Sequence, residues 1–224
     1  MIHTSLYYKE WIKSQRVLFL FAILLIAIIA YTWINVNQQF RIDGAVAVWS
    51  NVILKDASLV PAVVMWFPLL AGVLLGLVQY VPEMTNKRLK LTLHLPLPEV
   101  NIVVSMLSYG LIVLLATFII FYAGIGLLLQ TYYTTEIIQA LSLKVLPWLL
   151  GGITAYLLCA WICLEPTWKQ RICNALGGIA GISLYYLTAK SGAYTPFLIP
   201  LLVVMILSLS FPLYSTSRFK EGVQ

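Results

Sequence analysis

The chain has 224 residues, of which 61% are hydrophobic and only 10% charged, and its mean hydropathy is +0.92. A soluble domain carries about 25% charged residues, so this composition excludes an ordinary soluble enzyme or binding domain. The formal net charge of +6 comes from 14 basic and 8 acidic residues.

Six apolar segments are long enough to cross a membrane. A transmembrane helix needs about 20 mostly apolar residues to span about 30 Å of hydrocarbon. The segments between them are too short to form a soluble core of their own. We therefore predict an all-α membrane protein with six transmembrane helices in a single domain, residues 1–224. The predicted spans cover about 17–35, 57–81, 101–129, 144–164, 172–189 and 195–214.

The basic residues are divided unequally between the two sides of such a protein. The side that holds both termini has ten of the 14 Lys and Arg residues, and the opposite side has four. Lys and Arg concentrate on the cytoplasmic side of membrane proteins, which predicts that both termini are cytoplasmic. The net charge then reflects topology, and we expect no nucleic-acid partner.

Residues 5–16 precede the first span and have the pattern of an amphipathic helix. At about 100° per residue, one arc is aromatic and apolar and a neighbouring arc is basic. This pattern favours a helix lying in the cytoplasmic membrane interface, and a solvated basic tail is the alternative. The aromatic and apolar arc consists of Tyr7, Tyr8, Trp11 and Ile12, and the basic arc consists of Lys9, Lys13 and Arg16.

Several spans carry small residues that allow helices to approach closely. Gly72 and Gly76 form a G-x-x-x-G pattern on the second span, and Gly151 and Gly152 are adjacent on the fourth. Such faces are typical of helix packing in membranes. The three cysteines, Cys159, Cys163 and Cys173, lack the spacing of a metal site, so we interpret them as packing residues and predict no bound metal.

The sequence between the second and third spans, EMTNKRLKLTLHLPLPE (Glu83–Glu99), is polar and basic. Its leucines alternate, which taken alone indicates a strand, but a lone strand beside a membrane has no partner. Wound as a helix, the segment has two apolar ridges and can pack on the membrane domain and on a second cytoplasmic body. A basic loop on anionic lipid is the alternative. The ridges are Leu89 with Leu93 and Leu91 with Leu95, the cations are Lys87, Arg88 and Lys90, Thr85 or Asn86 can cap the start, and Pro96 and Pro98 end the helix.

The sequence lacks three common motifs of catalysis and nucleotide binding. There is no G-x-x-x-x-G-K-[ST], no H-E-x-x-H, and no G-x-S-x-G paired with a histidine. Every Asp and Glu falls at or near the end of a predicted span, unlike the buried charges of ion-coupled carriers. We therefore expect no catalytic residues, and an energy source outside this chain.

With these features the chain resembles the permease subunit of a bacterial ABC-2 type transporter. That family has an N-terminal interfacial elbow helix, six spans, and a cytoplasmic coupling helix of the form E-x-x-[GT]…L-x-x-[LH]-P after the second span. Glu83 and Thr85 are assigned to the start of this pattern, although Thr85 stands two positions after Glu83 where the pattern has three, and Leu95–Pro96 match its end. The chain departs from the family where Pro98 and Glu99 replace an often basic position, and in its short link before the last span.

The resemblance implies a two-part machine in the inner membrane of a bacterium. A separate cytoplasmic ATPase would use ATP and Mg²⁺, and this chain would need no cofactor. Two permease chains, identical or paralogous, would form a twelve-span unit in the bilayer, with export the expected direction. The ATPase would dock on residues of the coupling helix and of the loop Glu165–Arg171. These are Glu83, Thr85, Lys87, Arg88, Leu89, Leu91, Leu93, Leu95, Pro96, Glu165 and Lys169.

Two other functions remain open at this point. One is the substrate-capture component of an energy-coupling vitamin transporter, which also has six spans but normally lacks the elbow and the basic insertion. The other is a membrane assembly protein that transports nothing. Association with an ATPase would distinguish the permease from the assembly protein.

Overall fold

The structure, a computed structural model, describes residues 2–55, 61–85, 98–188 and 193–220. In these ranges the regular elements are helices, in agreement with the all-α prediction. Two short 3-10 turns, Leu184–Tyr186 and Thr195–Phe197, flank the last connection. The α-helices are α1 (Ile2–Ile42), α2 (Gly44–Lys55), α3 (Ala62–Thr85), α4 (Glu99–Gln130), α5 (Thr135–Leu164), α6 (Trp168–Ser183), α7 (Leu198–Ser208) and α8 (Ser210–Lys220).

Five helical segments are long and apolar enough to cross a membrane: Ser5–Ile42, Ala62–Thr85, Val100–Gln130, Thr135–Leu164 and Thr195–Arg218. The fifth predicted span, about 172–189, falls on α6, which has 16 residues and does not meet this criterion. At 1.5 Å per residue, α6 is about 24 Å long, and the 3-10 turn that follows lengthens it. The fourth span begins earlier than predicted, because α5 starts at Thr135 rather than near residue 144.

The amphipathic segment 5–16 is not a separate helix in this structure. It forms the first part of α1, which continues unbroken through the first predicted span. No Gly or Pro occurs between residues 2 and 42, so nothing in the sequence interrupts the helix. It ends before Gly44, whose positive φ of 77° turns the chain into α2.

Helix α5 is the centre of the bundle and packs most closely on α3. In the most apolar 18-residue stretch of α5, 72% is buried in the bundle, against 17–44% in the corresponding stretches of the other four segments. The contact is built on glycine, because a Cβ at Gly72 would lie 2.0 Å from the carbonyl oxygen of Gly152. The small faces predicted on the second and fourth spans therefore pack against each other. Further along, a Cβ at Gly76 would lie 2.9 Å from the side chain of Cys159.

Both described ends of the chain lie at the same end of the bundle, which we call the basal end. There Lys13 of α1 pairs with Glu83 of α3, and Arg218 of α8 pairs with Glu165 after α5. Met84, which follows Glu83, and Arg218 line one groove, so the two ion pairs lie at the same end of the bundle. From Glu165, α6 runs back along α5 until the hydroxyl of Tyr186 donates to the carbonyl of Trp148.

Candidate functional site

The first group of charges at the basal end, which we call the Glu83 cluster, joins α1 to α3. It consists of Lys9, Glu10, Lys13 and Glu83. The Nζ of Lys9 lies 2.9 Å from Oε1 of Glu83, and Lys13 bonds the same oxygen. Lys13 also lies 2.7 Å from Oε1 of Glu10. The side chain of Glu83 is 0% exposed, so two lysines neutralise a carboxylate that is withdrawn from water.

Hydroxyl groups hold the basal part of α1 against α4 as well. Ser14 lies 2.5 Å from the hydroxyl of Tyr109, and it also donates to the carbonyl of Glu10 at 3.0 Å. Two turns earlier on α1, the hydroxyl of Tyr7 lies 2.6 Å from that of Ser108. The amphipathic segment is thus attached to α3 by charge and to α4 by hydrogen bonds.

A second group of charges, the Glu165 cluster, joins the turn between α5 and α6 to α8. Arg218 lies 2.9 Å from Oε1 of Glu165, and Ser215 donates to Oε2 at 2.7 Å. Arg171 donates through Nε to the backbone carbonyl of Glu165 at 2.6 Å. The Glu165 residue is 1% exposed. Both oxygens of this carboxylate are therefore occupied by partners from its own chain.

Between the two clusters lies a groove of about 920 Å³, which we call the basal groove. Its walls come from the end of α3, the start of α6 and the end of α8. Trp168 at its rim is exposed, and the guanidinium of Arg171 lies 5.3 Å from the Trp168 ring. Its lining residues are Met84, Pro166, Thr167, Trp168, Lys169, Gln170, Cys173 and Arg218.

The structure brings only some of the predicted docking residues together. Glu83 and Glu165 are buried, and each forms an ion pair. Their side chains therefore hold helix ends together inside the protein. Thr85 is exposed and donates its hydroxyl to the carbonyl of Val81. Lys169 lies in the basal groove. The remaining predicted positions, Lys87, Arg88, Leu89, Leu91, Leu93, Leu95 and Pro96, lie outside the described residues.

The predicted aromatic arc of residues 5–16 is divided by the structure. Tyr8, Trp11 and Ile12 are exposed, as residues that face lipid headgroups would be. Tyr7 turns inward and packs edge-on against Tyr109, with ring centroids 5.9 Å apart.

Sequence reasoning missed two features of this region. It placed Lys9 and Lys13 on a basic arc beside the membrane, whereas both pair with Glu83; their spacing of four was the available signal. It also overlooked Gln79, the one amide in the second span.

Gln79 belongs to a buried polar network between α3, α4 and α5. Its Nε2 donates to the carbonyl of Met106 at 2.7 Å, and the hydroxyl of Tyr156 donates to its Oε1 at 2.9 Å. The hydroxyl of Tyr80 lies 3.0 Å from that of Tyr156. Because buried polar groups away from water must find partners within the protein, this network fixes the three helices relative to one another.

The chain has five helical segments long and apolar enough to cross a membrane, and polar side chains between them bond one another. It is a multi-pass helical membrane protein. Comparisons with models of protein families, with curated proteins and with solved structures found no match.

Proposed function

We propose that this chain is the membrane-spanning permease subunit of a bacterial ABC transporter. A separate ATPase would dock at the basal end and drive transport. The observation that carries the proposal is the Glu83 cluster. The glutamate that begins the E-x-x-[GT] pattern is buried, and two lysines of the amphipathic N-terminal segment hold it. It stands just ahead of the basic, leucine-rich segment on which the ATPase would dock.

The contacts of α3 support a mechanical role for this arrangement. A displacement of the segment after Thr85 would act first on Glu83 and, through its lysines, on α1. One turn further along α3, Gln79 and Tyr80 connect the same helix to Tyr156 of α5. Because packed interiors transmit strain, a push at the basal end would move α1, α3 and α5 together. Stiff packing of these helices is required if a displacement at the docking site is to change the conformation of a transport path.

The proposed topology has six crossings with the basal end in the cytoplasm. In it, α6 and its 3-10 turn form the short fifth crossing, and α7 with α8 returns the chain to the basal end. Ten of the 14 basic residues then lie on the cytoplasmic side. Two such chains would form the twelve-span unit, with export as the direction and the energy supplied by ATP and Mg²⁺ in the partner.

The experiment that tests this function is the double substitution Leu89→Asp with Leu93→Asp. Charges on one ridge of the docking segment should abolish its packing on an ATPase. We expect at least a tenfold loss of affinity for the ATPase that co-purifies with the wild-type chain, on the order of 1.4 kcal/mol or more. Affinity is measured by titration of the purified permease in lipid nanodiscs.

The matched control is Ile42→Asp with Val46→Asp, two exposed apolar residues at the opposite end of the bundle. It should bind the ATPase as the wild type does. Unchanged binding by the Leu89 and Leu93 double variant would refute docking on this segment. Failure of any ATPase to co-purify with the wild-type chain would instead favour an assembly protein.

A further inference from the structure

The basal groove has an excess of positive charge that nothing in the described part of the chain neutralises. Lys169 is exposed and forms no ion pair with a described residue. Arg218 lines the groove while it pairs with Glu165. No Asp or Glu is among the described residues that line the groove. The neighbouring Glu165 has its two oxygens facing Arg218 and Ser215. Among the described residues, an anion entering the groove would therefore meet cationic and amide groups at its lining.

The groove opens onto an apolar face of α6. Trp168, Ile172, Leu176 and Ile179 are 74%, 59%, 65% and 66% exposed. Their spacing of four, four and three residues places them in one stripe along the helix. The stripe begins at the rim of the groove and runs toward the opposite end of the bundle, so a polar pocket and an apolar track are continuous.

We propose that the basal groove binds the phosphate headgroup of an anionic membrane lipid, whose acyl chain lies along the α6 stripe. An anionic lipid matches both halves of the surface, whereas an acidic peptide or a soluble phosphate matches only the polar half. Trp168 stands where the two halves meet, the position that tryptophan favours at a membrane interface. A groove of about 920 Å³ is large enough for a headgroup, since ligand pockets commonly measure about 300–1,000 Å³.

This inference does not depend on the proposed transport function. It assigns Lys169 to lipid, whereas the sequence predicted that Lys169 contacts the ATPase. Measurements on this chain alone, without any partner protein, distinguish the two assignments.

The test uses the full chain in phosphatidylcholine nanodiscs that contain a low mole fraction of brominated lipid, which quenches nearby tryptophan. The fluorescence of Trp168 is obtained as the difference in tryptophan emission between the wild type and Trp168→Phe. We expect brominated phosphatidylglycerol to quench this signal more than brominated phosphatidylcholine does. Lys169→Gln should reduce the preference about fivefold, because one Lys near a membrane surface is worth about that factor.

The matched control is Arg16→Gln, which removes one exposed cation from the same end of the bundle. It should keep the preference, and an equal loss in Arg16→Gln and Lys169→Gln would show a general surface-charge effect and overturn the proposal. Equal quenching by the two brominated lipids would overturn it as well. If inorganic phosphate displaced the lipid at equal concentration, the groove would be a free-anion site. A Lys169→Gln chain with unchanged circular dichroism and lost preference supports the lipid site.

Discussion

At the scale of single residues, the packing of helices at the basal end depends on buried carboxylates. Glu83 and Glu10 share Lys13, and Glu83 also binds Lys9. The Oε2 atoms of Glu83 and Glu10 are buried and have no hydrogen-bond partner in the described part of the chain. Such a cluster stabilises only while both signs of charge are present, because an isolated buried charge is far more costly than a buried pair.

Glu83→Gln is therefore expected to destabilise the protein although it preserves shape. It leaves Lys9 without its carboxylate and Lys13 with Glu10 alone, at a cost of about 3 kcal/mol. The apparent melting temperature of the purified protein should fall by on the order of 10 °C, as followed by circular dichroism. The control is Glu136→Gln on the exposed start of α5, which should change it little. Equal melting temperatures for the two variants would contradict the assigned role of Glu83.

At the scale of helices, the decisive contact is the crossing of α3 and α5. Two backbones meet there with no side chain between them, since a Cβ at Gly152 would lie 2.5 Å from the carbonyl oxygen of Pro68. In lipid, association of helices relies on close packing because burial of apolar surface gives little driving force. The polar network of Gln79, Tyr80 and Tyr156 adds directional hydrogen bonds to the same interface.

Gly72→Ala should force α3 and α5 apart. The new Cβ would lie 2.0 Å from the carbonyl oxygen of Gly152, and a backbone atom cannot move aside as a flexible side chain can. We expect a large loss of folded, monodisperse protein in size-exclusion chromatography. Gly177→Ala on α6 is the matched control, because its Cβ would meet nothing within 4 Å. That control should be neutral or stabilising by up to about 1 kcal/mol, and similar yields for both variants would contradict the crossing.

At the scale of the whole molecule, several helices are longer than a membrane is thick. Helix α1 has 41 residues and is about 62 Å long, against about 30 Å of hydrocarbon. The ends of α1 and α4 farthest from the basal end share an aromatic contact, in which Phe40 and Tyr132 have ring centroids 5.4 Å apart. Trp49 of α2 lies 6.2 Å from Tyr133 in the same group. In the proposed topology, with the basal end at one membrane surface, this aromatic end would project beyond the opposite membrane surface.

The short helix α6 determines whether the chain crosses five or six times, and labelling of single cysteines tests it. In a background without Cys159, Cys163 and Cys173, Ala193→Cys should react with an impermeant maleimide from the side that labels Val46→Cys. Lys169→Cys should react from the opposite side. Labelling of Ala193→Cys from the Lys169 side only would mean that α6 does not cross, and the six-span topology would be wrong.

The sequence alone determined the class of the protein and most of its helices. Apolar runs near 20 residues long must be helical in lipid, because a helix bonds its own backbone where no water is available. This physics is local, so the second, third, fourth and last spans were recognised from composition. The unbroken α1 was missed because amphipathicity indicates which face is apolar and does not show where a helix ends.

Which residues meet at the basal end depends on the packing of distant helices, and no local sequence pattern shows it. Lys13 and Glu83 are 70 positions apart in the chain, and Glu165 and Arg218 are 53 positions apart. Their pairing depends on how α1, α3, α5 and α8 pack, and on burial that no local pattern encodes. The sequence identified Glu83 and Glu165 as residues of interest because of where they stand along the chain. The fold showed that both face inward, since a carboxylate at a crowded helix end is stable only beside its counter-charge.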